Sequence, residues 1–285
     1  MPVPLPPALA LSLDVLRCPT CRRTHRLHPG GGALRCPAGH TFDLARHGYV
    51  SLLTGARATS GDDAEMVRAR SRFLATGAYA PLREAAARLA AEPTAAAESR
   101  PRATVVDAGC GTGYYLAGVL DRLTGARGVG LDTSVRALRA AARAHDRAAA
   151  VATDVFRPLP LADGVADVVL NVFAPRNPAG FHRVLRPAGR LVVVRPTGRH
   201  LAELRDHRPA MVTVDPAKEE RLHRALDPYF EAAATERVDY TARLTGPEAL
   251  DLVAMTPSAR HPSRTDGPPP ARVTVSVLAT AYRRR

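Results

Sequence analysis

The sequence predicts an α/β protein: a seven-stranded, mostly parallel sheet with helices on both faces, preceded by a small N-terminal module of a different kind. Three observations predict it. From Thr104 onward, short apolar runs alternate with helical patterns, the mark of parallel βαβ units. The first of these runs, Thr104-Val105-Val106, ends at Asp107 and turns through Gly109, Gly111 and Gly113 into a helical pattern at Tyr114. Three of the four cysteines, Cys18, Cys21 and Cys36, crowd into the first 40 residues, with His40 behind them.

Size and charge bound the function. A chain of 285 residues, 46% hydrophobic and 24% charged, holds one large domain and a small one. The net charge is +13, from 40 basic and 27 acidic residues, and Lys218 is the only lysine. Arginine is the fork-shaped cation that matches phosphate, so a basic, arginine-rich surface points toward nucleic acid. Biased codon usage would explain the choice of arginine over lysine, but not the excess of positive charge. No apolar run approaches the ~20 residues of a membrane span. Residues 1–16 are apolar but broken by Pro2, Pro4, Pro6 and Pro7 and lack a basic start, so they do not read as a signal peptide. A cytoplasmic protein with no membrane partner is expected, and in that compartment cysteines stay reduced.

Taken in order, residues 1–15 read as a tail and 16–55 as the small module. Cys18 and Cys21 form C-x2-C, fourteen residues intervene before Cys36, and His40 follows at C-x3-H. Two such knuckles facing each other across a hairpin complete a tetrahedron, and Thr24–Leu34 supplies the hairpin. A Cys3His zinc site, structural because all four positions are filled, is the expectation. A redox C-x-x-C would need a βαβ context that is absent here, and His25, His28 and His47 compete with His40 on spacing alone. Residues 1–60 hold seven arginines against two aspartates. Arg22, Arg23, Arg26, Arg35 and Arg46 surround the knuckles and are candidate RNA phosphate contacts; a solvated basic face is the plainer alternative.

Residues 56–102 read as a helical linker. It holds a helix over Asp62–Leu74 ended by Gly77, a second over Leu82–Ala91, and an Ala/Pro/Ser loop to Arg102. Tyr79, between the helices, is either an aromatic packing a helix end or a ligand contact. From 103 to 285 the strands fall at Thr104–Val106, Ala126–Leu131, Ala148–Thr153, Ala166–Val172 and Arg190–Arg195. Helices fall at Tyr114–Leu123, Val135–Ala144 and Gly180–Leu185. Ala234–Leu244 and Arg272–Tyr282 would close the sheet as an antiparallel pair, with Ser258–Pro270 a flexible loop between them. Asp107, Asp132 and Asp154 then stand at the ends of successive strands, Asp132 being 19 residues past Gly113. A carboxylate at that place accepts hydrogen bonds from ribose hydroxyls, and together with the glycine turn the three acids predict a Rossmann-like cofactor site. Asn171, with the Val172–Pro175 backbone, is the candidate base-gripping edge after the fourth strand; a strand cap is the alternative.

Acid-x-G-x-G-x-G after a strand resembles motif I of the class I S-adenosylmethionine (SAM) methyltransferases. The whole chain resembles a narrower family. The blocks L-R-C-P-T-C at 16–21, R-C-P-A-G-H-T-F-D-L-A-R-H-G-Y-V at 35–50, D-A-E-M-V-R-A-R at 63–70, T-G-A-Y-A-P-L at 76–82, N-V-F-A-P-R-N at 171–177 and H-L-A-E-L at 200–204 are similar to those of the bacterial large-subunit ribosomal RNA guanine-N1 methyltransferases. That family includes the tylosin-resistance type of antibiotic producers. The resemblance implies a zinc-ribbon RNA-recognition domain and a SAM-dependent domain that methylates guanine N1 in a hairpin loop of 23S rRNA, with macrolide resistance as one role. It matches Cys18, Cys21, Cys36 and His40 to zinc, and Tyr79, the Gly111–Thr112 turn and His200 to SAM. A homodimer is an expectation of family analogy alone. From the residues themselves two other classes stay open, a small-molecule SAM methyltransferase and a non-catalytic zinc-ribbon RNA-binding protein.

Overall fold

The computed structural model describes residues 3–21, 24–55, 61–92, 102–208, 211, 218–260 and 268–285. The first of these residues, part of the segment that reads as a tail, are packed. Helix α1 (Pro7–Ala10) buries Leu9 completely, and Leu16 is equally buried against Leu161, with which it forms a β-bridge. Asp14 and the Leu11 carbonyl both accept from the Arg127 guanidinium, tying the segment to the main sheet. The module that follows is a three-stranded antiparallel sheet of β1 (His28–Gly30), β2 (Ala33–Arg35) and β3 (Thr41–Asp43).

Next comes β4 (Tyr49–Ser51), which leaves the module and pairs in parallel with a strand of the large sheet. Beyond it α2 (Ala64–Ala75) starts at Asp63, whose carboxylate accepts from the Glu65 and Met66 N–H groups, an N-cap that satisfies two otherwise open donors. Then α3 (Ala80–Ala91) begins with a proline in its first turn. The expected connections around 56–60 and 93–101 lie outside the described residues.

The large domain alternates β5 (Thr104–Ala108), α4 (Tyr114–Arg122), β6 (Arg127–Asp132), α5 (Val135–Ala141), β7 (Ala148–Ala152), β8 (Ala166–Val172), α6 (Pro178–Val184) and β9 (Leu185–Pro196). Helices α7 (Ala202–His207) and α8 (Lys218–Leu226) lead to β10 (Phe230–Arg243), and α9 (Gly246–Ala254) to β11 (Arg272–Arg284). The strand order is β10-β11-β9-β8-β5-β6-β7-β4. The last two strands do form an antiparallel pair, docked on β9. The sheet thus has the seven strands read from the sequence plus β4, which the small module contributes. Of the expected loop Ser258–Pro270, the first three residues belong to a 3-10 turn (Pro257–Arg260) and 261–267 lie outside the described residues.

Both faces of the sheet are covered, which is why its central strands read as unbroken apolar runs. Successive residues face opposite ways. Val105, Val192 and Val275 meet Phe73, Leu82, Leu116 and Leu252 from α2, α3, α4 and α9. Val106, Val129 and Val193 meet Phe181 of α6, Leu9 of α1 and Leu34 of the small module. The module and the large domain therefore share one core. No described helix is long and apolar enough to cross a membrane.

Removing the Leu9 side chain tests whether the N-terminal segment belongs to that core. Leu9→Ala is expected to cost about 2–4 kcal/mol in denaturant unfolding; an unchanged midpoint would make the segment an appendage.

Candidate functional site

Strand order reverses at β5, which has β6 on one side and β8 on the other. Such a switch point opens a crevice at the carboxyl ends of the strands, and the Gly109–Gly113 turn lies in it. Gly109, Gly111 and Gly113 have φ of 86°, 53° and 82°, the left-handed region that glycine enters without strain. At Gly109 space forbids a side chain as well, since a Cβ there would lie 2.4 Å from the Ala174 Cβ in the loop after β8. The turn runs through half-buried Thr112 into α4, which has no side-chain cap and no acid in its first turn. Its first N–H groups are left for a ligand.

The three acids sit where the strand ends place them. Asp107 is buried and its Oδ1 has no hydrogen-bond partner. Burial, and then the charge of Asp132, push its pKa up to about 8. A buried carboxyl lacking a partner is costly, and a cationic or donor group of a ligand would relieve it. Asp132 accepts from the Gly111 N–H and, with its other oxygen, from the Ser134 N–H, each at 2.8 Å. It locks the glycine turn to the start of α5, and each oxygen keeps a lone pair for a ribose hydroxyl. Asp154 accepts from the Phe156 N–H at 2.9 Å, which leaves the Phe156 ring 68% exposed.

Asn171 is wholly buried. Its Nδ2 donates to the carbonyls of Ala108 (3.1 Å) and Pro175 (2.8 Å), so it straps the end of β5 to the loop after β8, while its Oδ1 has no partner. The side chain is a strut rather than an exposed edge. What the loop does expose is Phe173, a residue the sequence reading passed over. Phe173 has φ 52°, a strained value for an aromatic residue, and remains 41% exposed. Its ring stacks on His200 at 5.8 Å between centroids and lies 6.4 Å from Tyr79 and 6.5 Å from Tyr115.

Tyr79 and His200, 121 residues apart in sequence, meet here with Tyr79 Oη 3.3 Å from His200 Nε2. Burial, and then Arg205, lower the His200 pKa to about 4, so the ring is neutral near pH 7. Its Nδ1 accepts from the Ser276 N–H at 3.2 Å. The ring proton is therefore on Nε2 and is donated to Tyr79 Oη. The Tyr79 hydroxyl, held protonated by burial, then has its own hydrogen to give to a ligand. Arg70, another residue not singled out from the sequence, pairs with Asp62 and donates to the Met255 carbonyl at 2.7 Å. Its guanidinium lies against Gly111, so α2 forms a roof over the turn. Arg70 stands within the D-A-E-M-V-R-A-R block, and its place there was the available signal.

In the small module the Sγ atoms of Cys18, Cys21 and Cys36 lie 3.8, 3.3 and 3.3 Å from His40 Nδ1, and Cys21 and Cys36 are 3.8 Å apart. Zinc bound at ordinary lengths of about 2.3 Å to sulfur and 2.0 Å to nitrogen needs sulfur–nitrogen edges of about 3.5 Å and sulfur–sulfur edges of about 3.8 Å, and these separations fall within a few tenths of an ångström of that. All four donor atoms fall within 4.8 Å of one another. The knuckle closes through Gly39, whose N–H donates to the Cys36 carbonyl. Arg26, Arg35 and Arg46 are exposed around it; Arg22 and Arg23 lie outside the described residues.

Comparison with known proteins agrees with this geometry. A zinc-ribbon family model described as "RlmA, N-terminal" matches residues 16–57, and one described as "Methyltransferase domain" matches 105–192. The chain is 48% identical to a Micromonospora griseorubida protein provisionally named 23S rRNA (guanine-N(1)-)-methyltransferase, over 94% of this chain and 92% of that one. It is 47% identical to the 23S rRNA (guanine(748)-N(1))-methyltransferase of Streptomyces fradiae, over 86% of each. A Bacillus subtilis relative, YxjB, with the same provisional name as the first, is 34% identical over 85% of this chain and 82% of its own. The chain is a SAM-dependent methyltransferase with a structural zinc ribbon. The orphaned Asp107 oxygen, the uncapped start of α4 and the Cβ-free turn suit the donor's amino acid end and its close backbone contact.

Two outcomes are expected. The purified protein carries one zinc per chain; chelation or Cys36→Ser releases it and lowers the melting temperature, whereas metal-free protein with an unchanged melt would contradict the Cys3His site. His200 is neutral when folded but takes up a proton near pH 6.5 when unfolded, so the unfolded chain binds more protons between the two pKa values. Stability should fall as pH drops from about 6.5 to 4, by up to about 3 kcal/mol, and His200→Gln should flatten that slope.

Proposed function

The chain belongs to the family of 23S rRNA guanine-N1 methyltransferases, and from that premise we propose that it transfers the methyl group of SAM to N1 of a guanine in large-subunit ribosomal RNA. The observation that carries this reading is the continuity of the arginine-rich zinc ribbon with the cofactor domain. Leu34 of the ribbon and Val129 and Leu131 of β6 are buried in one cluster. A methyltransferase acting on small molecules has no need to hold a phosphate-binding module rigidly beside its crevice.

SAM supplies a methyl already activated by its sulfonium, so the protein mainly has to orient the acceptor. We assign Phe173 to that task as a stacking platform for the target base. Its ring stands at the mouth of the switch-point crevice, backed by His200, and its strained backbone is fixed by the Phe173 N–H donating to the Val194 carbonyl at 3.1 Å. Asn171 shapes the loop that carries it. Tyr79, with its hydroxyl hydrogen directed by His200, serves the cofactor, as do the glycine turn, Asp132 and Asp154. A guanine inside a duplex cannot reach such a platform, so the substrate is a hairpin loop whose base splays or flips out. Action in the cytoplasm, a homodimer and a role in macrolide resistance of the tylosin type are further parts of the same proposal.

Two experiments test it. Incubating the protein and SAM with 23S rRNA lacking the modification should give N1-methylguanine at one loop position, read as a reverse-transcription stop; transfer to small acceptors but not to rRNA would contradict the reading. Phe173→Ala should lower kcat/KM for RNA by about 10- to 100-fold, the value of one base–aromatic stack, with SAM affinity unchanged. Equal losses in SAM binding would place Phe173 in the cofactor site instead.

A further inference from the structure

Three arginines on and just beyond α5 have no partner among the described residues. Arg136, Arg139 and Arg143 are all exposed and line one wall of a groove whose other wall is α2, with Ser71 and Arg72. Their spacing of three and four residues stacks them on one side of the chain, over a run of about 10 Å at helical rise. The arginines of the facing wall differ, since Arg68 pairs with Glu65 and Arg72 with Glu65 and Asp251. Like charges at this spacing repel and cost helix stability, and among the described residues no acid lining the groove offsets the α5 set.

The row is continuous with the zinc ribbon. The turn from β3 to β4 rests on its far end, where a Cβ on Gly48 would stand 3.4 Å from the Ala142 Cβ. Beside that contact, Arg46, Arg139 and Arg143 all act on His47, whose pKa is lowered first by burial and then by Arg139, Arg46 and Arg143. At the near end α5 starts from Ser134, whose hydroxyl caps the helix and whose N–H is held by Asp132 of the cofactor site. A line of exposed guanidinium groups thus runs from the ribbon toward the rim of the cofactor crevice.

We propose that Arg136, Arg139 and Arg143 form, with Arg46, a track for the sugar–phosphate backbone of the RNA, linking the zinc ribbon to the cofactor crevice. The partner is a polyanionic strand, because repeated phosphates match a row of cations at this spacing; an acidic protein partner would leave the rRNA salt dependence of the triple variant unchanged. This inference rests on the rRNA reading above and adds a site outside the ribbon.

The test is the salt dependence of binding to in-vitro transcribed 23S rRNA by the full-length, zinc-loaded protein. Each lost phosphate contact lowers the slope of log affinity against log salt by slightly under one. Arg136→Ala/Arg139→Ala/Arg143→Ala should therefore reduce the slope by about 2 to 3 and weaken binding at least 10-fold, with SAM affinity and zinc content unchanged. Arg243→Ala/Arg272→Ala, two exposed arginines paired at the opposite edge of the sheet, should change the slope by less than one. If the wild type binds and methylates rRNA while the triple variant keeps the wild-type slope, the track is overturned and the function stands. If the wild type does not bind rRNA, the functional reading itself falls, and the track with it.

Discussion

The close approach between the glycine turn and the loop after β8 is the constraint on which the rest of the site depends. Gly109 passes so near Ala174 that no side chain fits between them, and Asn171 straps the two segments together by donating to the Ala108 and Pro175 carbonyls. Opening a crevice at a strand-order reversal costs nothing special, because topology provides it. Bringing a bare backbone turn and the loop after β8 into contact across it requires a missing Cβ, a positive φ and a buried amide in register. These three features set the open backbone of the glycine turn and the loop that carries Phe173 side by side at one cleft.

The surroundings make that arrangement rigid. Arg70 fixes α2 over the turn through Asp62 and the Met255 carbonyl, and Asp132 spans from the turn to α5. His200, kept neutral by burial, joins β11 through Ser276 to Tyr79 at the start of α3. On the other face of the sheet the zinc ribbon shares a core with β5, β6 and α1, and it contributes β4 to the sheet edge. The metal thus braces a module fused to the catalytic fold by apolar packing, so in the proposed function a strand held by the ribbon's arginines would stand at a fixed distance from the crevice.

Much of this was legible in the sequence because it is written in local patterns. Parallel strands buried on both faces are short apolar runs, and the turn between β5 and α4 must be glycine at three places; each can be read without a partner. The Cys3His set is likewise local, two knuckles at fixed spacing. What the sequence did not disclose depends on contacts between distant segments. That the segment before the ribbon docks on the large domain, with Leu9 and Leu16 in the core, follows from Arg127 reaching Asp14 and from Leu16 meeting Leu161. That β4 enters the large sheet follows from its pairing with β7, about 100 residues away. Asn171 read as an edge because its position at the end of β8 was visible and its two carbonyl acceptors were not. Phe173 escaped notice because positive φ and exposure leave no trace in composition.

The central claim is that the donor's seat is the bare turn at Gly109, and calorimetric titration of SAM into Gly109→Ala measures it most directly. The wild type should bind one SAM per chain. The variant, provided that its zinc content and far-ultraviolet dichroism match the wild type, should bind at least 100-fold more weakly, because the added methyl drives the turn away from Ala174. Wild-type affinity in a folded Gly109→Ala protein would contradict the account.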